Sequence, residues 1–290
     1  MPVARVDAHQ HFWQPARGDY GWLRADVPAL APLHRDFLPA DLADTLRQHG
    51  VAQTVLVQAA ASQAETEFML SLARRHAFVG AVVGWVDLSR PDAAEVLARW
   101  HEQHPALRGV RPMLQDLADP EWIAHAPHPD ALRALQRLGL NFDALVQPRH
   151  LEALLRFVRA WPQLPVVIDH AAKPCLAAGW AAEWAPAWRA RMAELAACPQ
   201  VMCKLSGLLT EAPPGAGAAT LRPVWEHLLQ CFGPARLMWG SDWPVLTLAG
   251  RYADWVAISE ALVGELSPDE QAALWHGSAT HFYGLTWTCN

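Results

Sequence analysis

Eight short runs rich in β-branched and other apolar residues recur along the chain, at 6–12, 54–60, 82–88, 109–114, 141–146, 166–170, 201–207 and 237–243. Between them lie stretches with helical periodicity, at 38–48, 64–75, 93–103, 129–138, 150–160, 184–197, 223–231 and 252–264. Asp92 or Pro91 marks the start of the third stretch, and Gly139 ends the fourth as a C-terminal glycine cap. Strand and helix alternate from end to end with no break in composition, which restricts the chain to a parallel sheet covered by helices. Two such sheets compete, a closed eightfold barrel and an open doubly wound sheet. An open dinucleotide-binding sheet needs Gly-x-Gly-x-x-Gly after its first strand, and Trp-Gln-Pro-Ala-Arg-Gly stands there instead. The expected fold is therefore α/β, a single (β/α)8 TIM barrel occupying residues 1–290 as one domain.

Composition narrows the partners. A hydrophobic content of 52% in 290 residues supplies a large core, and a net charge of −6 with no cluster of Lys or Arg argues against nucleic acid. No apolar run is long enough to span a bilayer, so no membrane partner is expected. Cys175, Cys198, Cys203, Cys231 and Cys289 are widely spaced and odd in number, which suits a reducing compartment. A first strand close to the N-terminus leaves no room for a signal peptide, and the cytoplasm is the expected location. A homo-oligomer is compatible with the sequence but not required by it.

Two segments depart from the repeat. Residues 14–39, rich in Trp, Pro and Asp, form a long insertion after the first strand, where barrel loops usually build the wall of a site. Residues 211–220, with Pro-Pro-Gly-Ala-Gly at 213–217, form a loop after the seventh strand that reads equally as a lid or as a surface excursion.

The polar residues fall at the ends of the apolar runs. His9 and His11 stand two apart on the first strand and should share one face. Arg111 closes the fourth run, Asp169 and His170 the sixth, Lys204 lies in the seventh and Asp242 ends the eighth. A barrel brings the C-terminal ends of all its strands to one mouth, so His9, His11, Arg111, His170, Lys204 and Asp242 should meet there. Each has a plain structural reading as well. Arg111 could pair with Asp116, Lys204 with Asp169, and Asp242 could cap the segment after it. One convergent site explains all six, whereas the structural readings need six separate accounts. Most of the 15 tryptophans, including Trp100, Trp161, Trp184, Trp188 and Trp225, sit in helical stretches and read as packing residues. Trp13 and Trp243 adjoin site motifs, and either indole could stack on a sugar-like ring.

These motifs carry a resemblance. Asp-Ala-His-Gln-His-Phe-Trp at 7–13, Gly-Val-Arg at 109–111, Asp-His-x-x-Lys-Pro at 169–174, Cys-Lys-Leu-Ser-Gly-Leu at 203–208 and Trp-Gly-Ser-Asp-Trp-Pro at 239–244 resemble the lactonase branch of the amidohydrolase superfamily. Tyr-Gly-Trp at 20–22, Arg-Asp-Phe-Leu-Pro at 35–39 and Phe-Tyr-Gly-Leu at 282–285 extend the similarity over the whole chain. The resemblance implies a barrel of the metal-dependent-hydrolase type and hydrolysis of a sugar-acid lactone, of the fucono- or rhamnonolactone type, to the free acid. It implies Asp242 as general base, with His170 beside it in catalysis. It also implies one divalent ion, zinc, held by His9, His11, His170 and Asp242, or a metal-free variant in which the histidines donate hydrogen bonds to the oxyanion. Lys204 stands where a further metal-binding histidine might be expected, which argues against a two-metal site. Arg111, Lys204, Trp13, Gln10, Lys173 and Trp243 are the expected substrate contacts. Two rivals remain: a barrel acting on a dicarboxylic lactone or decarboxylating an aromatic acid, using Arg111, Lys173 and Lys204 as cations, and a barrel that only binds a sugar acid.

Overall fold

The computed structural model describes residues 4–286. Its eight strands form one parallel sheet in sequential order. They are β1 (Arg5–Gln10), β2 (Val51–Val57), β3 (Val79–Gly84), β4 (Leu107–Val110), β5 (Asn141–Ala144), β6 (Val166–Ile168), β7 (Val201–Leu205) and β8 (Leu237–Trp239). Each strand is followed by a helix, namely α1 (Pro39–Gln48), α2 (Gln63–Arg75), α3 (Ala93–Gln103), α4 (Pro129–Leu138), α5 (Leu151–Ala160), α6 (Trp184–Ala196), α7 (Ala218–Phe232) and α8 (Tyr252–Val263). A short α9 (Ser278–Tyr283) ends the order. The expected (β/α)8 barrel is what the chain forms. Among the described residues no helix is long and apolar enough to cross a membrane, and Cys175, Cys198, Cys203 and Cys231 are free thiols. Cys289 lies outside the described residues.

Two apolar layers hold the barrel. The larger packs the outer faces of the strands against the helices, and the tryptophans at 100, 188 and 225 are buried in it as expected. The smaller fills the barrel itself with Val6, Ala8, Val55, Val57, Ala81, Val83, Val167, Met202 and Met238. Ala279 and Tyr283 of α9 join this inner layer and plug the end opposite the mouth. Helix α7 begins at Ala218, one turn before the expected start at Pro223. A proline inside a helix withdraws one N–H, and the carbonyl it would have served belongs to Ala219, which is exposed and reaches water.

Strand ends differ systematically from the expectation. The run reaching 114 ends as a strand at Val110, and the run reaching 243 ends at Trp239. The apolar signal continues past the ladder because the first loop residues at the mouth are still buried. Where the ladder stops, the chain turns sharply. His170, Ala171, Ala172 and Lys173 have φ of 53°, 51°, 60° and 49°, and Asp242 has φ of 59°. Left-handed backbone costs about 1–2 kcal/mol per non-glycine residue, so surrounding bonds must hold these turns. Trp188 donates its indole N–H to the Ala171 carbonyl at 2.9 Å, and Ser206 Oγ lies 2.9 Å from His170 Nδ1.

The seam between β8 and β1 closes the barrel without a regular ladder. The backbone N–H of Asp242 donates to the His9 carbonyl at 2.7 Å, and that of His11 donates to the Trp243 carbonyl at 2.7 Å. Asp7 braces the same seam. Its Oδ1 accepts the N–H groups of Ser241 at 2.8 Å and His9 at 3.2 Å, and its Oδ2 accepts the Tyr252 hydroxyl of α8 at 3.0 Å. Burial pushes the Asp7 carboxyl up to about 6 despite these bonds. One β-bulge makes the arrangement possible. Asp7 pairs with Thr54 and Gln10 with Leu56, so β1 carries one residue more than β2 over this stretch. The extra residue breaks the alternation that would otherwise put Asp7 and His9 on one face. Asp7 therefore turns out to α8 while His9 turns into the barrel.

The insertion at 14–39 folds back on the mouth. Trp13 and Phe37 exchange both backbone bonds at 2.9 Å, and the Trp13 indole N–H reaches the carbonyls of Leu33 and Arg35 at 3.1 Å. The segment at 211–220 is a short helix (Leu208–Glu211), a turn and the start of α7.

A steric consequence can be tested. A methyl group on Gly207 would lie 2.5 Å from His170 Nδ1, whereas one on Gly215 would meet nothing within 4 Å, and both glycines have positive φ. Gly207→Ala should lower stability in denaturant by about 1–3 kcal/mol more than Gly215→Ala, the cost of overpacking. Equal losses in the two variants would show that the His170 ring has room to move.

Candidate active site

The mouth holds a cavity of about 210 Å3 lined by His11, Trp13, Trp22, Ala59, Arg111, Met113, Gln115, Leu145, His170, Lys173, Asp242 and Val245. A larger cavity of about 600 Å3 lies at the opposite end, between α9 and the starts of β5 and β7. It has no cluster of converging titratable groups, so the chemistry belongs to the smaller one.

Asp242 is the centre of the floor. Its Oδ1 lies 3.3 Å from His11 Nε2, 3.7 Å from His170 Nε2 and 3.8 Å from His9 Nε2. Three imidazoles from two distant parts of the sequence thus present the same nitrogen to one carboxylate oxygen. The ligand atoms of His9, His170 and Asp242 all lie within 4.8 Å of one another, a spacing a single metal ion can bridge. His11 stands beside this group, in contact with Asp242 but outside it. Asp242 does not cap the following segment through its side chain; its backbone carbonyl accepts from Leu246 while the carboxylate faces the histidines.

Burial and charge set the protonation states. Burial alone would raise Asp242, but His170, His11 and His9 outweigh it and hold the carboxyl well below the usual range. Burial lowers His170 to about 4. Burial also lowers His11, and burial together with the Lys204 ammonium lowers His9 far below its ordinary value. At neutral pH the floor is an ionised carboxylate surrounded by three neutral imidazoles.

The His11 tautomer follows from its partner. Nδ1 lies 2.7 Å from the Val57 carbonyl, which can only accept, so the ring proton is on Nδ1. Nε2 then presents a lone pair to a carboxylate oxygen 3.3 Å away. Two acceptors at that distance require something electropositive between them, either a hydrogen of a bound molecule or a cation. This donor set of imidazole nitrogen and carboxylate oxygen, with one side open to the cavity, suits a catalytic zinc site.

Under the floor lies a network of fully buried charges. Lys204 Nζ is 2.6 Å from Asp143 Oδ2, 2.9 Å from Asp169 Oδ1 and 3.1 Å from His9 Nδ1. Tyr283 of α9 donates to Asp143 Oδ2 at 2.7 Å. Arg111 Nη1 lies 3.1 Å from Asp169 Oδ2 and 3.3 Å from His9 Nε2, and Nη2 donates to the Gln58 carbonyl. Burial raises Asp143 to about 6. Burial would raise Asp169 as well, but Lys204, His9 and Arg111 hold it well below the usual range.

Several expected contacts are placed elsewhere. Lys204 is 0% exposed and pairs with Asp169, as its structural reading had it, and with Asp143, so it lies beneath the cavity and not on its wall. Gln10 faces outward on β1 and donates to Thr54 Oγ1 at 3.0 Å. Trp243 packs against Phe12 and Phe37 and does not line the cavity. Arg111 pairs with Asp169 rather than Asp116. His11, Trp13, Arg111, His170, Lys173 and Asp242 do line it. Trp22, Met113, Gln115, Leu145 and Val245 were not foreseen. Trp22 had a signal, since it lies in the aromatic insertion; its indole donates to the Ala59 carbonyl at 2.7 Å. The apolar residues at 113, 145 and 245 have none, because loop geometry alone decides which of them faces the mouth.

The amidohydrolase family model matches residues 6–285. An L-fucono-1,5-lactonase of Burkholderia ambifaria is 47% identical over 97% of this chain and 96% of its own. An L-fucono-1,5-lactonase of Burkholderia multivorans is 41% identical over 98% and 97%. A crystal structure of a Burkholderia multivorans amidohydrolase with bound zinc superposes with a TM-score of 0.88 at 40% identity, covering 98% of this chain and all of that one. With a barrel whose mouth gathers His9, His170 and Asp242, and a match across nearly its whole length, the chain belongs to the amidohydrolase family.

Proposed function

We propose that this chain is a lactonase that opens a sugar-acid lactone of the L-fucono-1,5-lactone type to the free acid. The observation that carries the reading is Asp242, ionised among three neutral imidazoles on the floor of a small, half-apolar cavity. Full-length similarity to two L-fucono-1,5-lactonases supports the substrate class.

The roles follow from position. The Arg111 guanidinium borders the cavity and orients the lactone carbonyl. Trp13, Trp22, Leu145 and Val245 take the carbon face of the ring and exclude bulk water. A water molecule above the floor donates one hydrogen to His11 Nε2 and the other to Asp242 Oδ1, which aims an oxygen lone pair at the carbonyl carbon. Asp242 takes that proton as the carbon–oxygen bond forms, then returns it to the ring oxygen as the tetrahedral intermediate collapses, leaving a hydroxy acid. Lys173, on the left-handed turn, stands where it meets a substrate hydroxyl or the new carboxylate. A zinc ion, fitting the donor set of His9, His170 and Asp242, would supply acidification of water to a pKa near 7 and polarisation of the carbonyl.

The dicarboxylate reading has less support. A dicarboxylic substrate was to be held by Arg111, Lys173 and Lys204, and Lys204 is out of its reach.

Replacing Asp242 by Asn should lower kcat on L-fucono-1,5-lactone by about 100- to 10,000-fold, the usual worth of a general base, with the circular dichroism spectrum unchanged. A variant that keeps most of its activity would remove Asp242 from that role. The pH profile offers a second check. Burial lowers His11, whose lone pair holds the water, as it lowers His170, so these lone pairs survive below the ordinary histidine range. The acid limb of kcat/KM should therefore lie below the ordinary histidine value of about 6.5, and a limb at that value would contradict the protonation states assigned to the floor. Elemental analysis should find about one zinc per chain, and chelation should reduce turnover if the ion assists it. Full activity in metal-free protein would leave Asp242 and the histidines to act alone.

A further inference from the structure

The loop after β2 grips the insertion at 14–39 through side-chain hydrogen bonds. Arg17 Nη2 donates to the Ala64 carbonyl at 3.0 Å, and Ser62 Oγ donates to Asp19 Oδ1 at 2.8 Å. The Trp22 indole N–H donates to the Ala59 carbonyl at 2.7 Å. This last bond bears on the cavity directly, because Trp22 and Ala59 both line it.

Glu65, in the first turn of α2, shapes this loop. Ser62 with a glutamate three residues later is the sequence of a capping box, in which the carboxylate would return to the Ser62 N–H. Here the Ser62 N–H donates to the Ala60 carbonyl instead, and the carboxyl reaches further back. Its Oε1 and Oε2 lie 3.0 and 3.1 Å from the Ala59 nitrogen and accept that N–H, and Oε2 accepts the Ala60 N–H at 2.6 Å. Glu65 is fully buried, and burial pushes its carboxyl up to about 8 despite these bonds. A carboxyl is costly to bury, so the N–H groups it serves and its own place on α2 fix one another.

The two sets of bonds meet in one rigid unit. The Ala59 carbonyl, which holds Trp22, and the Ala60 N–H, which Glu65 holds, belong to the same peptide. A trans peptide is planar, with its C=O and N–H on opposite sides, so any turn of the plane toward one partner moves the other. A strong bond at the N–H also polarises the carbonyl and strengthens the bond that it accepts. We propose that Glu65 is a positioning residue for the cavity wall, which sets through the Ala59–Ala60 peptide where the Trp22 indole stands against the ligand ring. That the ligand is a lactone rests on the reading above; the link from Glu65 to Trp22 does not. Trp22 touches the carbon face of the ring and not the reacting atoms, so its displacement weakens ground state and transition state alike, which is an effect on KM.

Indole hydrogen exchange in heavy water, followed in nitrogen-15 spectra of tryptophan-labelled protein, tests the link without substrate. Trp22→Phe and Trp188→Phe identify the two signals needed. Trp188 is the reference, because its bond to the Ala171 carbonyl lies after β6 in another part of the barrel. Glu65→Met keeps the length of the side chain and loses both acceptors. In it Trp22 exchange should quicken about tenfold while that of Trp188 is unchanged, the mark of a local opening. KM for L-fucono-1,5-lactone should rise about tenfold with kcat kept, and Glu65→Gln, which retains one oxygen for the Ala60 N–H, should recover most of the loss. In a Trp22→Phe background Glu65→Met should add nothing further to KM, since the bond it supports is already gone. Should Glu65→Met not fold, Glu65→Asp takes its place, because the shorter carboxylate no longer spans the distance to Ala60. Unchanged Trp22 exchange in a folded Glu65 variant would overturn the proposal. So would equal quickening of Trp22 and Trp188, or an undiminished rise in KM in the Trp22→Phe background. A wild-type protein inert toward lactones would end the lactonase reading alone, and the exchange measurement would still decide the link.

Discussion

The structure depends on the seam where β8 meets β1. Two backbone bonds, from Asp242 to the His9 carbonyl and from His11 to the Trp243 carbonyl, close the barrel at the residues that make its floor. Closure and site are thus one construction: the chain cannot join its first strand to its last without bringing His9, His11 and Asp242 together. Asp7 and the bulge beside it complete the join. Without the extra residue, a period of two would send Asp7 and His9 the same way, and either the brace to Tyr252 or the imidazole in the barrel would be lost.

Putting an ionised carboxylate on this floor raises an electrostatic problem that the layer below solves. Asp143 and Asp169 are carboxylates with no exposure, and without Lys204 and Arg111 their desolvation would be prohibitive. Those cations in turn keep the imidazoles above them neutral, since a proton on His9 would face an ammonium on one side and a guanidinium on the other. Neutral imidazoles offer lone pairs toward Asp242 and are available to a water molecule or a metal ion. The buried network is therefore what allows three histidines to surround a carboxylate without forming salt bridges to it at neutral pH.

How far this was legible in the sequence depends on the scale of the question. The alternation of β-rich and helical runs restricts the chain to a parallel sheet covered by helices, and the want of a Gly-x-Gly-x-x-Gly after the first run favours the closed barrel over the open sheet. The convergence of Arg111, His170 and Asp242 follows from that fold, since every strand delivers its last residues to one mouth. Finer placement does not follow. Lys204 lies in a strand and Asp242 beyond one, yet both stand in buried apolar runs, and only the point where the ladder stops tells a residue inside the barrel from one at its rim. Gln10 and Trp243 were misplaced for a related reason: each adjoins a site residue in sequence, and a neighbour along a strand or turn faces the other way. The four left-handed residues from His170 to Lys173 had no sequence signal, because no glycine marks them; their conformation is held by Ser206 and Trp188 and by the space that Gly207 leaves for the His170 ring.

The floor and the walls of the cavity answer to different constraints. Every floor group is held by at least one backbone or buried ionic partner, so its position is fixed before any ligand arrives. The walls come from the insertion at 14–39 and the loops after β4, β5 and β8, and their polar atoms are less committed. Among the described residues Arg111 Nε and Gln115 Oε1 have no hydrogen-bond partner, and Lys173 has only a loose pairing with Glu211 at 3.9 Å. The same cavity is lined by Trp13, Trp22, Leu145 and Val245, which offer carbon surface. A ring with hydroxyl or carbonyl oxygens on one side and bare carbon on the other satisfies both sets at once, whereas a ligand charged at both ends would leave one charge against indole and leucine. The choice among lactones therefore rests with the walls, while the hydrolytic step, carried by Asp242 and its imidazoles, rests with the seam.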